Sequence, residues 1–186
     1  LGTHQFNEDG SLTIGVKGYD FSGNEEGYYF VWQQISGDFV VQAKIAPVYD
    51  AAATSAKQFV LMRNTLNLGS PVFAAARMAS GSMGMKYRVV PNGNIGDMSQ
   101  AWTSVAANPF WLRVERRKNL ISAAYRTNDV SSWVTYFQYD NATNTVFTGR
   151  TYVGFGETAC NATNMQYATF SNISLVRLGG SVLLLK

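Results

Sequence analysis

The sequence predicts an all-β chain that folds as one two-sheet antiparallel β-sandwich of the jelly-roll type. Three observations carry this reading. Apolar and polar residues alternate at period two in segment after segment, the spacing that puts successive side chains on opposite faces of a strand. Gly, Asn, Asp, Ser and Pro bound those segments and supply hairpin chemistry. No segment shows a sustained helical period. Only residues 50–57 could form a single turn, with Asp50 as its cap.

The strand segments are 12–17, 28–34, 39–46, 57–64, 72–79, 84–90, 111–117, 120–127, 133–139, 151–156, 167–176 and 181–185. The clearest alternation runs from Phe39 to Ile45. It places Phe39, Val41, Ala43 and Ile45 on one face and Gln42 and Lys44 on the other. Ser36-Gly37-Asp38, Leu68-Gly69-Ser70-Pro71, Pro91-Asn92-Gly93-Asn94 and Lys118-Asn119 read as turns. A dozen short strands exceed what one open sheet holds without splitting into two packed layers. No linker, repeat or low-complexity tract interrupts the run, so residues 1–186 form one domain.

Composition narrows the chemistry. Hydrophobic residues make up 46% and charged residues 15%, which excludes a disordered chain. The single Cys160 can form no intrachain disulfide, and the single His4 lies near a terminus expected to fray. A Cys–His nucleophile pair and a clustered zinc site are therefore excluded, and Cys160 reads as a small buried apolar side chain. No stretch of 18 apolar residues offers a membrane span. The chain starts with Leu1 and shows no leader, so it reads as a mature or excised fragment, for which a secreted or cell-surface location stays open.

Net charge is +3, but unevenly spread. Residues 1–50 hold seven acids and two bases, whereas residues 51–128 hold ten bases and two acids. A basic middle suits an anionic partner. No nucleic-acid motif accompanies it, and its bases are spread singly except at Arg116-Arg117-Lys118, so nucleic acid is not the expected partner.

The alternating Glu-x-Asp-x-x-Glu of jelly-roll glucanases is absent, and the adjacent Glu25-Glu26 belong in a polar loop. Gly154-Phe155-Gly156-Glu157-Thr158-Ala159 matches a nucleotide-binding glycine pattern, but no helix follows to hold a pyrophosphate. Asp9, Asp20 and Glu25 are candidate ligands for a structural calcium ion, and no other cofactor is expected. Asn141, Asn161 and Asn172 each head a glycosylation tripeptide.

Ordered segments resemble a known family. Tyr29 to Phe39 resembles "F-x-Y-x-x-L-x-G-D-x-x-I-x-A-R-V", Phe59 to Leu66 resembles "G-V-M-I-R-E-S-L", and Lys86-Tyr87-Arg88 resembles "F-Q-Y-R". Phe110 to Arg116, Ile121 to Trp133, Tyr152 to Gly156 and Ala168 to Leu175 continue the series. The pattern is that of a secreted bacterial domain family with the concanavalin A-like lectin/glucanase fold and no assigned function. Asn64 stands where that family has Glu, and Asn128 to Ser131 replace its Asp-Gly turn. The resemblance implies the fold, a secreted setting, a place within a larger polysaccharide-degrading protein, and a buried Trp133.

The expected function is a non-catalytic carbohydrate-binding module for a cell-wall polysaccharide, with an anionic, pectin-like polymer favoured by the basic middle. Lys57, Arg63, Arg77, Lys86 and Arg88 are expected to line an open groove on a concave sheet, where Arg meets carboxylate bidentately. Trp32, Trp102 and Trp111 are the candidate stacking platforms for sugar rings. A rival reading is a polysaccharide lyase or glycoside hydrolase on the same fold. Tyr87 beside Lys86 and Arg88 is its only hint. The other rival is a spacer or protein-interaction domain.

Overall fold

The structure is a computed structural model, and it describes residues 2–18, 20–48, 54–97, 102–104, 110–142, 145–179 and 182–183. Within them every regular element is a strand: β1 (Gly2–Phe6), β2 (Leu12–Gly18), β3 (Phe21–Ser22), β4 (Glu25–Glu26), β5 (Tyr29–Ser36), β6 (Phe39–Val48), β7 (Lys57–Arg63), β8 (Val72–Met78), β9 (Ser82–Arg88), β10 (Gly96–Asp97), β11 (Thr103–Ser104), β12 (Phe110–Arg117), β13 (Leu120–Arg126), β14 (Val134–Asp140), β15 (Arg150–Thr158), β16 (Asn161–Arg177) and β17 (Val182–Leu183). The turn expected over 50–57 and the start of the last expected strand lie largely outside the described residues.

Two large antiparallel sheets form. The back sheet runs β1-β2-β16-β6-β12-β13-β14, with β17 alongside β16. The front sheet runs β10-β9-β8-β7-β15-β5, with β11 alongside β9. The expected meander β7-β8-β9 is present and fully antiparallel. The small hairpin β3-β4 belongs to neither sheet.

Period-two patterning explains the packing. Phe39, Val41, Ala43 and Ile45 of β6 and Phe110, Leu112 and Val114 of β12 all face the front sheet and are fully buried. Val60 and Met62 of β7, Phe73 and Ala75 of β8, and Val153 and Phe155 of β15 meet them from the other side. Phe155 and Phe170 bridge the layers at 5.4 Å between ring centroids.

Two expectations about the fold are corrected. His4 does not fray. It pairs with Ile14 in β1–β2, and its Nδ1 lies 2.9 Å from the Tyr29 hydroxyl. Trp133 is not in the core. It stands half-buried on the outside of the back sheet, where Arg113 stacks 3.9 Å from its ring centroid.

Truncating Phe155→Ala removes a ring from the inter-sheet layer and leaves a cavity. It is expected to cost about 3–5 kcal/mol, read as a lower midpoint in denaturant titration with the slope retained.

Candidate functional site

The outer face of the front sheet is the candidate site, and register defines its rows. One row reads Gln34, Tyr152, Arg63, Val72, Arg88 across five strands. The next reads Trp32, Gly154, Leu61, Ala74, Lys86, and the third Phe30, Gly156, Phe59, Ala76, Gly84.

Four of the five expected cations share this face, but not an open groove. Lys57, Arg63, Lys86 and Arg88 are each between 2% and 4% exposed. The segment from Asp20 to Tyr28, carrying β3 and β4, lies across them. Phe21 and Tyr28 pack on Phe59, with Ile95 and Trp102 completing a second apolar cluster over Leu61, Val72, Ala74 and Ala76. Two glycines make room for the cover. A Cβ on Gly156 would press on Tyr28 and Leu61, and one on Gly84 would lie 2.8 Å from the Trp102 ring. Trp102 is therefore half-buried against β9, with Lys86 Nζ 5.9 Å from its ring centroid, rather than a free loop platform.

The cover is fastened by charge. Glu26 was expected in a polar loop. Its side chain is instead 4% exposed and held between two guanidiniums. One oxygen accepts from Arg63 at 3.0 Å, and the other accepts from Arg88 and from the Gly69 amide. Burial alone would raise the Glu26 pKa, but the Arg88 hydrogen bond, the Gly69 amide and the two positive charges hold it below its ordinary value. Asp20 does the same for Lys57. Its Oδ1 lies 2.6 Å from Lys57 Nζ and 3.0 Å from Cys160 Sγ, and its pKa is likewise lowered against the effect of burial. Cys160 is thus a half-buried thiol donating to a carboxylate, not an apolar filler. Burial first, and then the Asp20 hydrogen bond, push it up to about 11.

Arg77 and Tyr87 are on the wrong side for a groove. Arg77 pairs in register with Gln58, on the inner face of β8, with its guanidinium carbon 5.4 Å from the Phe110 ring centroid. An odd-numbered residue in this strand faces the core, so the Arg77 guanidinium lies buried between the sheets against the Phe110 ring. Gln58 in turn donates toward buried Glu157, whose carboxyl is pushed well above its usual range by burial. Tyr87 also faces inward, against the core, so Lys86 and Arg88 point away from it. The constellation that suggested a lyase does not assemble.

Trp111 does face outward, as its parity implies, but it is 4% exposed. It lies on the back sheet, donates Nε1–H to Asp129 at 2.8 Å, and stacks under Arg126 with 4.0 Å from the guanidinium carbon to the ring centroid. The calcium candidates do not converge either. Asp9 caps Ser11, Asp20 is occupied by Lys57, and Glu25 accepts from the Asp20 amide. Among the described residues no group of three or more His, Cys, Asp or Glu is gathered.

Trp32 alone of the expected platforms is open. It is 44% exposed on edge strand β5 and meets Tyr152 of β15 edge-on at 4.9 Å. Beyond the same end of the sheet lies a cleft of about 510 Å³, formed by the loops after β7, β9 and β14. Asn64, Thr65, Leu68, Pro71, Asn92 and Val146 line it. Asn64 donates to the Val146 carbonyl, while its buried Oδ1 has no hydrogen-bond partner among the described residues. Sequence reasoning missed this cleft because its walls come from three loops. The Asn-for-Glu departure at position 64 was the only signal.

No family model and no curated protein matches the chain. Solved structures do. A functionally unknown protein from Saccharomyces cerevisiae aligns over 96% of this chain and 97% of its own, with 18% identity and a TM-score of 0.68. The carbohydrate binding module CBM66 from Bacillus subtilis aligns over 94% and 91%, with 16% identity and a TM-score of 0.62. An alginate lyase, A1-II′, aligns over 92% and 82%, with 12% identity and a TM-score of 0.62. At these identities the likeness is one of fold alone, a two-sheet antiparallel sandwich of the jelly-roll type.

Glu26→Gln leaves two buried guanidiniums without a counter-charge and is expected to destabilise the domain by about 3–5 kcal/mol. The sign with pH follows from the lowered folded-state pKa. Glu26 stabilises fully above its ordinary value of 4.5, and that contribution fades as pH falls through the lower folded-state value. Wild type therefore loses more stability on acidification than Glu26→Gln does, a difference read from melting temperatures across that window.

Cys160 is expected to alkylate on the order of a hundredfold more slowly than an unperturbed thiol of pKa about 8.5 at mildly alkaline pH. Asp20→Asn removes the negative charge that helps to raise its pKa, so the rate with iodoacetamide should increase.

Proposed function

We propose that this domain is a non-catalytic carbohydrate-binding module, secreted or displayed at a cell surface within a larger polysaccharide-acting protein, and that it receives a cell-wall polysaccharide at the open end of the front sheet. The observation that carries the reading is Trp32. It is a large aromatic left exposed on an edge strand, braced edge-on by Tyr152 and bordered by Gly154, which leaves the floor beside it low. Sugar rings present apolar C–H faces to such a ring, so Trp32 serves as a stacking platform, and the mainly apolar cleft between Asn64 and Asn92 as a second contact surface.

The acids on this face favour binding over hydrolysis. A glycosidase needs one carboxyl kept protonated and a second free to attack or to activate water. Asp20 and Glu26 are both ion-paired with lowered pKa values, and Glu157, whose pKa burial raises, is sealed between the sheets. The fold shared with a carbohydrate binding module is in keeping with this reading.

Trp32→Ala tests it by affinity electrophoresis and calorimetry against neutral and acidic plant polysaccharides. Loss of an aromatic anchor is expected to weaken binding about tenfold or more, with the melting temperature unchanged because the ring is exposed. Undiminished affinity in the variant, or no polysaccharide bound by wild type, rejects the proposal.

A further inference from the structure

The cations expected to read an acidic polymer are buried, three of them in ion pairs with Asp20 or Glu26, so charge selectivity must come from elsewhere on the surface. One pocket supplies it. Beside the platform, where β5 ends and β15 begins, Gln34, Ile35, Ser36, Arg150 and Arg177 enclose about 210 Å³. Arg150 opens β15 opposite Ser36, and Arg177 closes β16 opposite Phe39, so the two guanidiniums arrive from different sheets at one rim. Both are exposed, and neither forms a hydrogen bond or ion pair with another described residue. Asp38, in the turn after β5, gives its carboxylate to the Lys118 amide at 2.7 Å.

The pocket is continuous with the platform. Arg150, Tyr152 and Gly154 follow one another on the outer face of β15, and Gly154 pairs with Trp32. Four residues of strand separate Arg150 from the Trp32 row, roughly 13 Å at the usual rise, so a short oligosaccharide stacked on Trp32 reaches the arginines with a neighbouring ring.

We propose that Arg150 and Arg177, with the Gln34 amide and Ser36 hydroxyl, form an anion subsite that selects an acidic glycan over a neutral one by gripping a uronate carboxylate or a sulfate ester. This rests on the reading of Trp32 as a sugar platform. Two guanidinium forks match the oxygens of either anion, and the polar residues between them hold adjacent hydroxyls. Because both arginines stand in solvent, the subsite is sensitive to salt, unlike a buried ion pair.

The test compares wild type with Arg150→Gln/Arg177→Gln, Trp32→Ala and the control Arg117→Gln. Calorimetry against a galacturonate oligomer, a sulfated oligosaccharide and a neutral gluco-oligomer is run at low and high salt. Wild type is expected to prefer an acidic ligand, with affinity falling as salt rises, and the preferred anion distinguishes carboxylate from sulfate. The double arginine variant should lose about tenfold toward that ligand at low salt and lose its salt dependence. It should bind the neutral oligomer as wild type does and melt at the same temperature. Trp32→Ala should weaken all ligands, and Arg117→Gln none. Equal binding of charged and neutral oligomers by wild type overturns the subsite while leaving the module intact. So does an unchanged double variant, or an equal loss in Arg117→Gln, which would mark diffuse attraction. Failure of wild type to bind any of the three overturns both.

Discussion

The Glu26 carboxylate, buried between Arg63 and Arg88, is the constraint on which the front of this molecule depends. One oxygen holds β7 and the other holds β9, while the same carboxylate takes the Gly69 amide. Arg63 in turn donates to the Asn67 carbonyl, and Arg88 donates twice to that of Ser70. A single acid thus ties two strands, the Asp20–Tyr28 cover and the loop after β7 into one unit. Such a network is a weak source of net stability compared with apolar packing, since three charged groups must leave water. Its effect is specificity. Only one placement of the cover satisfies all three groups, and any other leaves a buried charge bare.

That network also joins part of the acidic first third to part of the basic middle: Asp20 pairs with Lys57, and Glu26 with Arg63 and Arg88. A charge block in sequence is read as a binding surface only when the fold leaves it facing solvent, and these three bases face acids instead. The back sheet repeats the logic with aromatics. Arg113 and Arg126 stack on Trp133, Arg126 also stacks on Trp111, and Asp129 joins Trp111 to Lys44. Both Trp rings and both guanidiniums there are committed to each other.

The layers, the β7-β8-β9 meander and the facing of Phe39 to Ile45 were legible in the sequence, because each depends on local alternation and turn residues. Parity also put Lys57, Arg63, Lys86 and Arg88 on one face. What it could not supply was the phase of one strand against the next. Arg77 follows the apolar run Ala74-Ala75-Ala76, which alternates nothing, so only its register with Gln58 shows that it points inward. Burial of the shared face was equally hidden, since the covering residues Phe21 and Tyr28 lie some thirty or more positions before the strands they cover. Trp133 and Trp111 show two further failures. Trp133 was expected in the core yet lies half-buried outside the back sheet, and Trp111, expected as an open platform, faces outward but is covered by Arg126.

The placement of exposed groups follows from the same division. Residues drawn into the cover lose access to solvent, and the cover spans β7 to β9, so the open part of the front sheet is confined to β5, β15 and the loop end. Trp32, Tyr152 and Gln34 occupy that strip, and the cleft by Asn64 and Asn92 continues it. Charge is partitioned in parallel. Pairing cancels the fields of Lys57, Arg63 and Arg88 at short range, whereas Arg150 and Arg177 stand unpaired at the rim and project theirs into solvent. A ligand approaching the sheet therefore meets aromatic surface and positive potential at one end, and a closed apolar lid over the rest.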